Sequence, residues 1–129
     1  MRSLVKMSHK YGAKTCELDG HRFASQAERD RYIELKLMAA SGAISGLKLQ
    51  PRYPLYAMAQ IPETDFASPA VKVCEYRADF EYEMAGEVIT EDVKGYKTEV
   101  YRIKAKWFAA CYGREVQEIR AGRKKKCRQ

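Results

Sequence analysis

Residues 71–94 constrain the fold most, because their side chains alternate between apolar and polar over two strand-length segments joined by a turn. In residues 71–82 the apolar positions are Cys74, Tyr76, Ala78, Phe80 and Tyr82, and the polar positions between them are Glu75, Arg77, Asp79 and Glu81. A period of two predicts one long β-strand with a single face in the core. Residues 84–87 predict a turn, and residues 88–94 predict the partner strand of a hairpin.

The rest of the chain predicts two helices and several short strands. Asp19-Gly20 predicts a tight turn within a hairpin over residues 16–23. Ser25 and Glu28 match a capping box, so a helix should run from Ser25 to about Ser41. Further strands are expected at 44–49, 53–58 and 115–119, a loop at 59–70, and a second helix at 98–112.

Apolar side chains at helical spacing indicate which faces of the two helices are buried. The first helix has two apolar stripes, which predict burial on more than one side: Ile33, Leu37 and Ala40, and Tyr32, Leu35 and Ala39. The second helix has one stripe with two reinforcing residues: Tyr101, Ala105, Phe108 and Tyr112, with Ile103 and Trp107. Helices and strands in this order predict a mixed α/β domain built around one sheet.

The length of 129 residues fits one domain. We expect an irregular basic lead-in at residues 1–14, the folded domain at 15–119 and a basic tail at 120–129. No apolar run approaches the roughly 18–20 residues of a membrane span, so we expect no membrane partner. Four scattered cysteines without a C-x-x-C pair favour reduced thiols in a cytoplasm over a zinc site or a disulfide framework.

The net charge of +7 is concentrated at the carboxyl end of the chain. Residues 120–129 contain six basic residues and no acid, whereas residues 1–119 contain 18 basic and 17 acidic residues. A basic tail indicates a polyanionic partner, most often nucleic acid. The alternative is a solvated end that only aids solubility.

The predicted hairpin brings together three groups that could carry chemistry. Asp79 lies on one strand, and Asp92 and Lys94 project to the same side of the next. Two carboxylates and one ammonium would then meet on one exposed face. Such a pair of hard oxygen ligands suits Mg²⁺, and a lysine could orient a water or neutralise charge during phosphodiester hydrolysis. The alternative is a surface salt bridge worth about 0–1 kcal/mol.

Asp79 followed by Asp92-Val93-Lys94 resembles the core motif of the PD-(D/E)XK nuclease superfamily. The longer wording resembles small phage and prophage proteins assigned to that superfamily, over roughly residues 10–119. The segments that carry this resemblance are KYGAK (10–14), FAS (23–25), LQPRYPL (49–55), ADF (78–80) and EDVKGYKT (91–98). Three features depart from the pattern: Ala78 replaces proline, Asp92 replaces the more frequent Glu, and the segment 59–70 is long.

The resemblance implies a restriction-endonuclease-like core, in which helices flank a central mixed β-sheet in the order α-β-β-β-α-β. It implies a metal-dependent DNA endonuclease that uses Mg²⁺, with Mn²⁺ as a substitute and no organic cofactor. Asp79, Asp92 and Glu28 would be metal ligands and Lys94 the catalytic lysine, although Glu28 also suits a purely capping role. Gln50 is a possible polar site residue. The expected DNA-binding residues are basic: Lys97, Arg102, Lys104, Lys106, Arg123, Lys124, Lys125 and Lys126.

The substrate implied by the resemblance is branched or recombination-intermediate DNA, such as a Holliday junction or a flap, in a phage or prophage context and a host cytoplasm. A junction resolvase would be a homodimer, because two strands must be cut. A sequence-specific or nicking endonuclease is the alternative enzyme. A non-catalytic basic nucleic-acid-binding protein is the alternative from a different class.

Overall fold

A four-stranded mixed β-sheet is the centre of the protein, whose computed structural model describes residues 15–59 and 70–121. Along the chain, the elements are β1 (Cys16–Leu18), β2 (His21–Phe23), α1 (Gln26–Ala40), β3 (Ser45–Leu49), β4 (Arg52–Ala57), β5 (Val71–Arg77), β6 (Phe80–Met84), β7 (Glu87–Lys94), α2 (Glu99–Tyr112) and β8 (Gln117–Arg120). The prediction of a mixed α/β fold with two helices is therefore confirmed.

The sheet has the strand order β3-β6-β7-β8. β6 is antiparallel to both of its neighbours, β3 and β7, whereas β8 is parallel to β7. A parallel neighbour requires a crossover connection, and α2 supplies it between β7 and β8. β4 and β5 form a separate antiparallel pair, and β1 and β2 form a small hairpin.

Local sequence signals account for both tight turns. Asp19 and Gly20 join β1 to β2 with φ values of 52° and 77°. Ala85 and Gly86 join β6 to β7 with φ values of 53° and 79°. Two consecutive positive φ values are characteristic of the two-residue hairpin turn that matches strand twist. Both predicted hairpins are confirmed.

The helix caps also follow the sequence. The Ser25 hydroxyl accepts a hydrogen bond from the Glu28 N–H at 3.2 Å, and the Thr98 hydroxyl accepts one from the Tyr101 N–H at 3.1 Å. These contacts satisfy backbone donors that have no partner inside the helix. Gly113 ends α2 in the left-handed conformation, with φ of 70°.

The prediction of one long strand over residues 71–82 is wrong. The strand breaks at Ala78 and Asp79, so β5 pairs with β4 while β6 pairs with β3 and β7. The facing chain breaks at the same level, at Gln50 and Pro51. Gln50 has a φ of 51°, which is strained for a residue that is not glycine. Pro51 accepts the Ala78 N–H here but has no N–H to donate in return.

This break divides the apolar core between the two helices. The core against α1 contains Phe23, Tyr32, Leu35, Ile44, Phe80, Tyr82 and Val93. The core against α2 contains Tyr53, Leu55, Tyr76, Ala78, Tyr101 and Phe108. The alternating apolar residues from Cys74 to Tyr82, which were expected to share one face of one strand, therefore contribute to two separate cores.

Two predicted apolar contacts are wrong. The first stripe of α1 is exposed, with Ile33 at 42% and Leu37 at 67%, so that helix is buried on one side only. Ile103 of α2 is also exposed. The second stripe of α1 is buried through Tyr32 and Leu35, since these side chains face the sheet.

Several expectations concern the ends of the domain. The predicted lead-in at 1–14 and most of the predicted tail lie outside the described residues, as does most of the loop at 59–70. Arg120 belongs to β8 rather than to the tail. Cys74 and Cys111 are free thiols, as predicted. Within the described ranges, neither helix has the length and apolarity to cross a bilayer.

Candidate functional site

Asp79 and Asp92 lie side by side where the central sheet splits. Phe80 pairs with Glu91, so the residues just beyond that pair, Asp79 and Asp92, face each other across β6 and β7. The Asp79 N–H donates to the Glu91 carbonyl at 3.0 Å, and the Asp79 carboxylate accepts the Val93 N–H at 2.7 Å. The Asp79 carboxylate therefore accepts the Val93 N–H, which in a regular sheet would bond to a backbone carbonyl of the neighbouring strand.

Lys94 completes the predicted trio on the α2 side of the sheet. Its Nζ lies 3.0 Å from Oδ1 of Asp92 and 4.0 Å from the centroid of the Tyr101 ring. Oδ2 of Asp92 accepts a hydrogen bond from the Tyr76 hydroxyl. An ammonium between a carboxylate and an aromatic face is held by charge and by a cation–π contact. Its orientation is therefore well defined.

The trio is less exposed than the sequence predicts. Asp92 is only 3% exposed, and Asp79 and Lys94 are partly buried. The expectation of a fully exposed face is wrong, because Tyr76 and Tyr101 cover one side of the trio. The expectation that the three side chains share a face is confirmed by their contacts.

Burial raises the pKa of Asp79, and the neighbouring charge of Asp92 raises it further. Glu28 also contributes to this rise, while the Val93 N–H opposes it. Removing a carboxylate from water and placing it beside another one both disfavour its ionised form. Asp79 is therefore a group whose charge the fold does not fully compensate.

Glu28 approaches the trio from the first turn of α1. Its carboxylate accepts the Ala24 N–H at 3.3 Å, while Ser25 caps the helix. Burial raises the pKa of Glu28, and Asp92 raises it further, whereas Lys94 lowers it. Glu28 thus has the local capping contact expected of it and also lies within electrostatic range of the site.

Gln50 lies at the break in the sheet, next to the acidic pair. Its backbone N–H donates to the Asp79 carbonyl at 2.8 Å, and its side-chain amide donates to the Arg22 carbonyl at 2.9 Å. Ala78 donates to the Pro51 carbonyl at 3.1 Å. The first of these bonds holds the Asp79 backbone in place, whereas the side-chain amide of Gln50 bonds to Arg22 rather than to the acidic pair.

The predicted DNA-binding residues separate into three groups. Lys97, Arg102 and Lys106 line depressions along α2 that begin beside Lys94. The ammonium of Lys104 instead donates to the Glu75 carbonyl at 2.9 Å, which ties α2 to β5. The basic tail residues Arg123, Lys124, Lys125 and Lys126 lie outside the described residues.

Two partners in and near the site were missed by the sequence reading. Tyr76 was placed on the face opposite Asp79, yet its hydroxyl reaches Asp92 because the strand breaks between Tyr76 and Asp79. Glu91 is 1% exposed and forms a two-pronged ion pair with Arg31, at 2.8 and 2.7 Å. The sequence did contain a signal for Glu91, because a charged residue between core positions of a central strand needs a partner when it is buried.

The donor set is suited to one small, hard cation. Among residues 15–59 and 70–121, no three His, Cys, Asp or Glu side chains are grouped closely enough to hold a metal ion. Mg²⁺ is commonly held by one or two carboxylates and keeps several waters. Asp79 and Asp92 fit that requirement, and a cation would relieve the repulsion that raises the Asp79 pKa. Glu28 does not form a group of three with them in the described residues, so the predicted set of three metal ligands is not brought together.

Residues 8–128 match the model of a family described as a protein of unknown function, DUF1064. Because the match covers nearly the whole chain, the protein belongs to this family. No curated protein matches the chain, and no solved structure matches it.

Proposed function

We propose that this protein is a divalent-cation-dependent deoxyribonuclease that hydrolyses phosphodiester bonds. The observation that carries the proposal is the pairing of Asp79 with Asp92 across two strands, with the Lys94 ammonium 3.0 Å from Asp92. A surface salt bridge would not require a second carboxylate in a partly buried position. The raised pKa of Asp79 is a cost to the apo protein that a bound cation would remove.

The architecture supports the resemblance to PD-(D/E)XK nucleases. The acids lie on adjacent antiparallel segments where a mixed sheet ends, α1 packs on that sheet, and α2 packs on the neighbouring β4–β5 pair. A helix with an early acid, Glu28, precedes them, and the crossover helix α2 follows them. We therefore propose a restriction-endonuclease-like core for this chain.

Each residue has a role that follows from its contacts. Asp79 and Asp92 would hold the cation, which when bound would supply Lewis-acid stabilisation of the scissile phosphate and acidify a water. Lys94, fixed between Asp92 and Tyr101, orients the attacking water and neutralises charge on the phosphoryl oxygens. The water oxygen forms a bond to phosphorus, the bond to one sugar oxygen breaks, and that oxygen takes up a proton.

Glu28 and Gln50 support this arrangement in different ways. Glu28 orients a water toward the site, because its carboxylate lies near enough to affect Asp79 and Asp92 electrostatically. Gln50 positions Asp79 through the backbone hydrogen bond at 2.8 Å. We propose Mg²⁺ as the cation, with Mn²⁺ as a substitute, and branched DNA in a phage or prophage context as the substrate. A homodimer would place two such sites on two strands.

The test is a cleavage assay on junction, flap, duplex and single-stranded DNA with Mg²⁺ or Mn²⁺. We expect cutting that Asp79→Ala and Lys94→Ala reduce by about 10²–10³-fold or more, the effect of removing one preorganised charge from an active site. The matched controls are Asp30→Ala and Lys72→Ala, because both side chains are at least half exposed and lie outside the trio. Circular dichroism verifies that every variant is folded.

Cleavage that survives in folded Asp79→Ala and Lys94→Ala would show that the trio is not the catalytic centre. Binding without cleavage on every substrate and with both metals would favour a non-catalytic nucleic-acid-binding protein. Cutting of plain duplex at one sequence would favour a sequence-specific or nicking endonuclease over a junction or flap enzyme.

A further inference from the structure

A groove of about 820 Å³ opens directly beside Lys94. Its walls come from the end of β7, the start of α2 and the end of β8. A smaller depression of about 380 Å³ continues from it along α2, since both are lined by Lys97, Arg102 and Glu118. The depression therefore runs away from the acidic pair along the surface of α2.

The walls of this groove are basic, unlike the rest of the folded chain. Five cations and two acids line the two depressions: Lys94, Lys97, Arg102, Lys106 and Arg120, with Glu115 and Glu118. Residues 1–119 as a whole are nearly neutral, with 18 basic and 17 acidic residues. Excess positive charge along a depression attracts a chain of phosphates.

An exposed aromatic ring lies in the same wall. Tyr96 is 69% exposed and stands between Lys94 and Lys97, on the short segment that joins β7 to α2. A base can stack on such a ring only if the face of that base is not covered by a neighbouring base. In an intact duplex both faces of each internal base are covered by neighbours, so a ring beside cations favours an unpaired strand.

The sequence after the last residue of the groove wall is also basic. Ala121 is part of that wall, and residues 122–129 of the sequence contain five basic residues and no acid.

From these observations we propose that the groove binds a single-stranded DNA segment leading to Lys94, with Tyr96 stacking on one of its bases. The substrate class is then DNA with an unpaired arm, such as a flap or a frayed end. Cleavage of the strand at Lys94 rests on the proposed nuclease function. Binding of the strand in the groove does not depend on that function.

The experiment measures fluorescence anisotropy of a labelled 12-nucleotide DNA in EDTA, with the full chain. We expect the single strand to bind more tightly than a blunt duplex of the same sequence. Tyr96→Ala should weaken single-strand binding about tenfold, because one base loses its stacking partner, and Tyr96→Phe should restore it. Arg102→Ala should reduce the slope of log K against log salt by about 0.7, the value for one lost phosphate contact.

The matched controls are Tyr56→Ala and Arg52→Ala, an exposed tyrosine and an exposed arginine on β4. Both lie outside the groove, so neither should alter binding by more than about twofold. An RNA strand of the same sequence has the same backbone charge and base faces, and it should bind no more tightly than the DNA.

Three results would overturn the proposal: unchanged binding in Tyr96→Ala, an equal loss in Tyr56→Ala, or tighter binding of the duplex or the RNA. Because EDTA removes divalent cations, these results are independent of cleavage. Wild-type protein that binds as expected but cuts nothing with Mg²⁺ or Mn²⁺ would defeat the nuclease and leave the groove standing. If Tyr96→Ala changes neither binding nor cleavage, the groove proposal fails and the nuclease proposal stands.

Discussion

Glu91 and Asp92 are consecutive buried carboxylates on β7, but they face opposite sides of the sheet and have different partners. On the α1 side, the Glu91 carboxylate accepts hydrogen bonds from two nitrogens of the Arg31 guanidinium and from the hydroxyl of Tyr82. On the α2 side, Asp92 receives Lys94 and Tyr76, but it also faces the carboxylate of Asp79.

The difference separates a structural charge from a candidate functional one. Around Glu91 each buried charge meets an opposite charge, which is what burial of an ion requires. Around Asp92 two carboxylates compete for one ammonium, so the fold retains unfavourable electrostatics. Functional sites often retain such a cost, because the compensating group is a ligand.

The largest effect on stability is expected from Glu91→Ala. It leaves the Arg31 guanidinium without its main partner, so the free energy of unfolding should fall by about 3–5 kcal/mol. Urea denaturation measures this change. The control is Glu34→Ala, because Glu34 also pairs with Arg31 but is 62% exposed, and it should change stability by less than about 1 kcal/mol. Equal effects of the two variants would contradict a structural role for Glu91.

The next largest effect is expected from Mg²⁺, which should stabilise the folded protein by binding to Asp79 and Asp92 on the α2 side. At a free concentration 100 times its Kd, a ligand that binds only the folded state adds about 2.7 kcal/mol to the free energy of unfolding. Asp79→Asn and Asp92→Asn should abolish the increase, and Asp30→Asn should keep it. Sodium chloride at equal ionic strength controls for screening. An undiminished increase in Asp92→Asn would exclude this pair as the binding site.

A smaller effect of opposite sign is expected for Asp79→Asn in EDTA. The folded-state pKa of Asp79 is raised above its ordinary value of 3.8, so the wild type is most stable below that pH. It loses stability as the pH rises toward the folded-state pKa. Asparagine carries no charge and can still accept the Val93 N–H, so the variant should be more stable at pH 8 by at least about 1 kcal/mol, since each unit of pKa shift corresponds to about 1.4 kcal/mol.

Urea denaturation at pH 5 and pH 8 tests this sign, because the advantage of Asp79→Asn should grow between the two values. Asp30→Asn should show no such trend, since Asp30 is exposed. A variant that is less stable than wild type at pH 8 would mean that the contacts of the Asp79 carboxylate outweigh its repulsion from Asp92.

The smallest effect is expected when the whole charged group on the α1 side is replaced by apolar side chains. The triple variant Arg31→Met, Tyr82→Phe, Glu91→Leu should stay within about 1 kcal/mol of wild-type stability, because a buried ion pair is often no more stabilising than packed apolar groups. It should also retain cleavage. The corresponding change on the other side, Asp92→Leu with Lys94→Met, should abolish cleavage even in folded protein. Loss of cleavage in the triple variant would mean that the α1 side also takes part in function.

The predictions that held depend on short stretches of chain. Asp19-Gly20 and Ala85-Gly86 form the tight turns, and the positive φ values suit Asp19, Gly20 and Gly86, although not Ala85. Ser25 and Thr98 cap the helices through hydrogen bonds to N–H groups three residues away. The juxtaposition of Asp79 and Asp92 follows from the second turn, since the turn sets the register of the hairpin.

The predictions that failed depend on chain segments far away in sequence. The strand over residues 71–82 breaks because Gln50 and Pro51 face it, and nothing within those residues reveals that neighbour. Tyr76 therefore reaches Asp92 although alternation placed it on the other face. The apolar stripe of Ile33 and Leu37 satisfies helical spacing, but no described element packs on it.

The sequence by itself determined the two helices with their caps, the two tight turns and the pairing of two acids with a lysine, because each depends on contacts within one turn or one hairpin. Only the tertiary structure decided which buried carboxylate is neutralised and which is not. Glu91 meets an arginine 60 positions away, whereas Asp92 meets Asp79 and Lys94. A carboxylate's charge state depends on what lies within a few ångströms in space, and that distance is not written in the spacing along the chain.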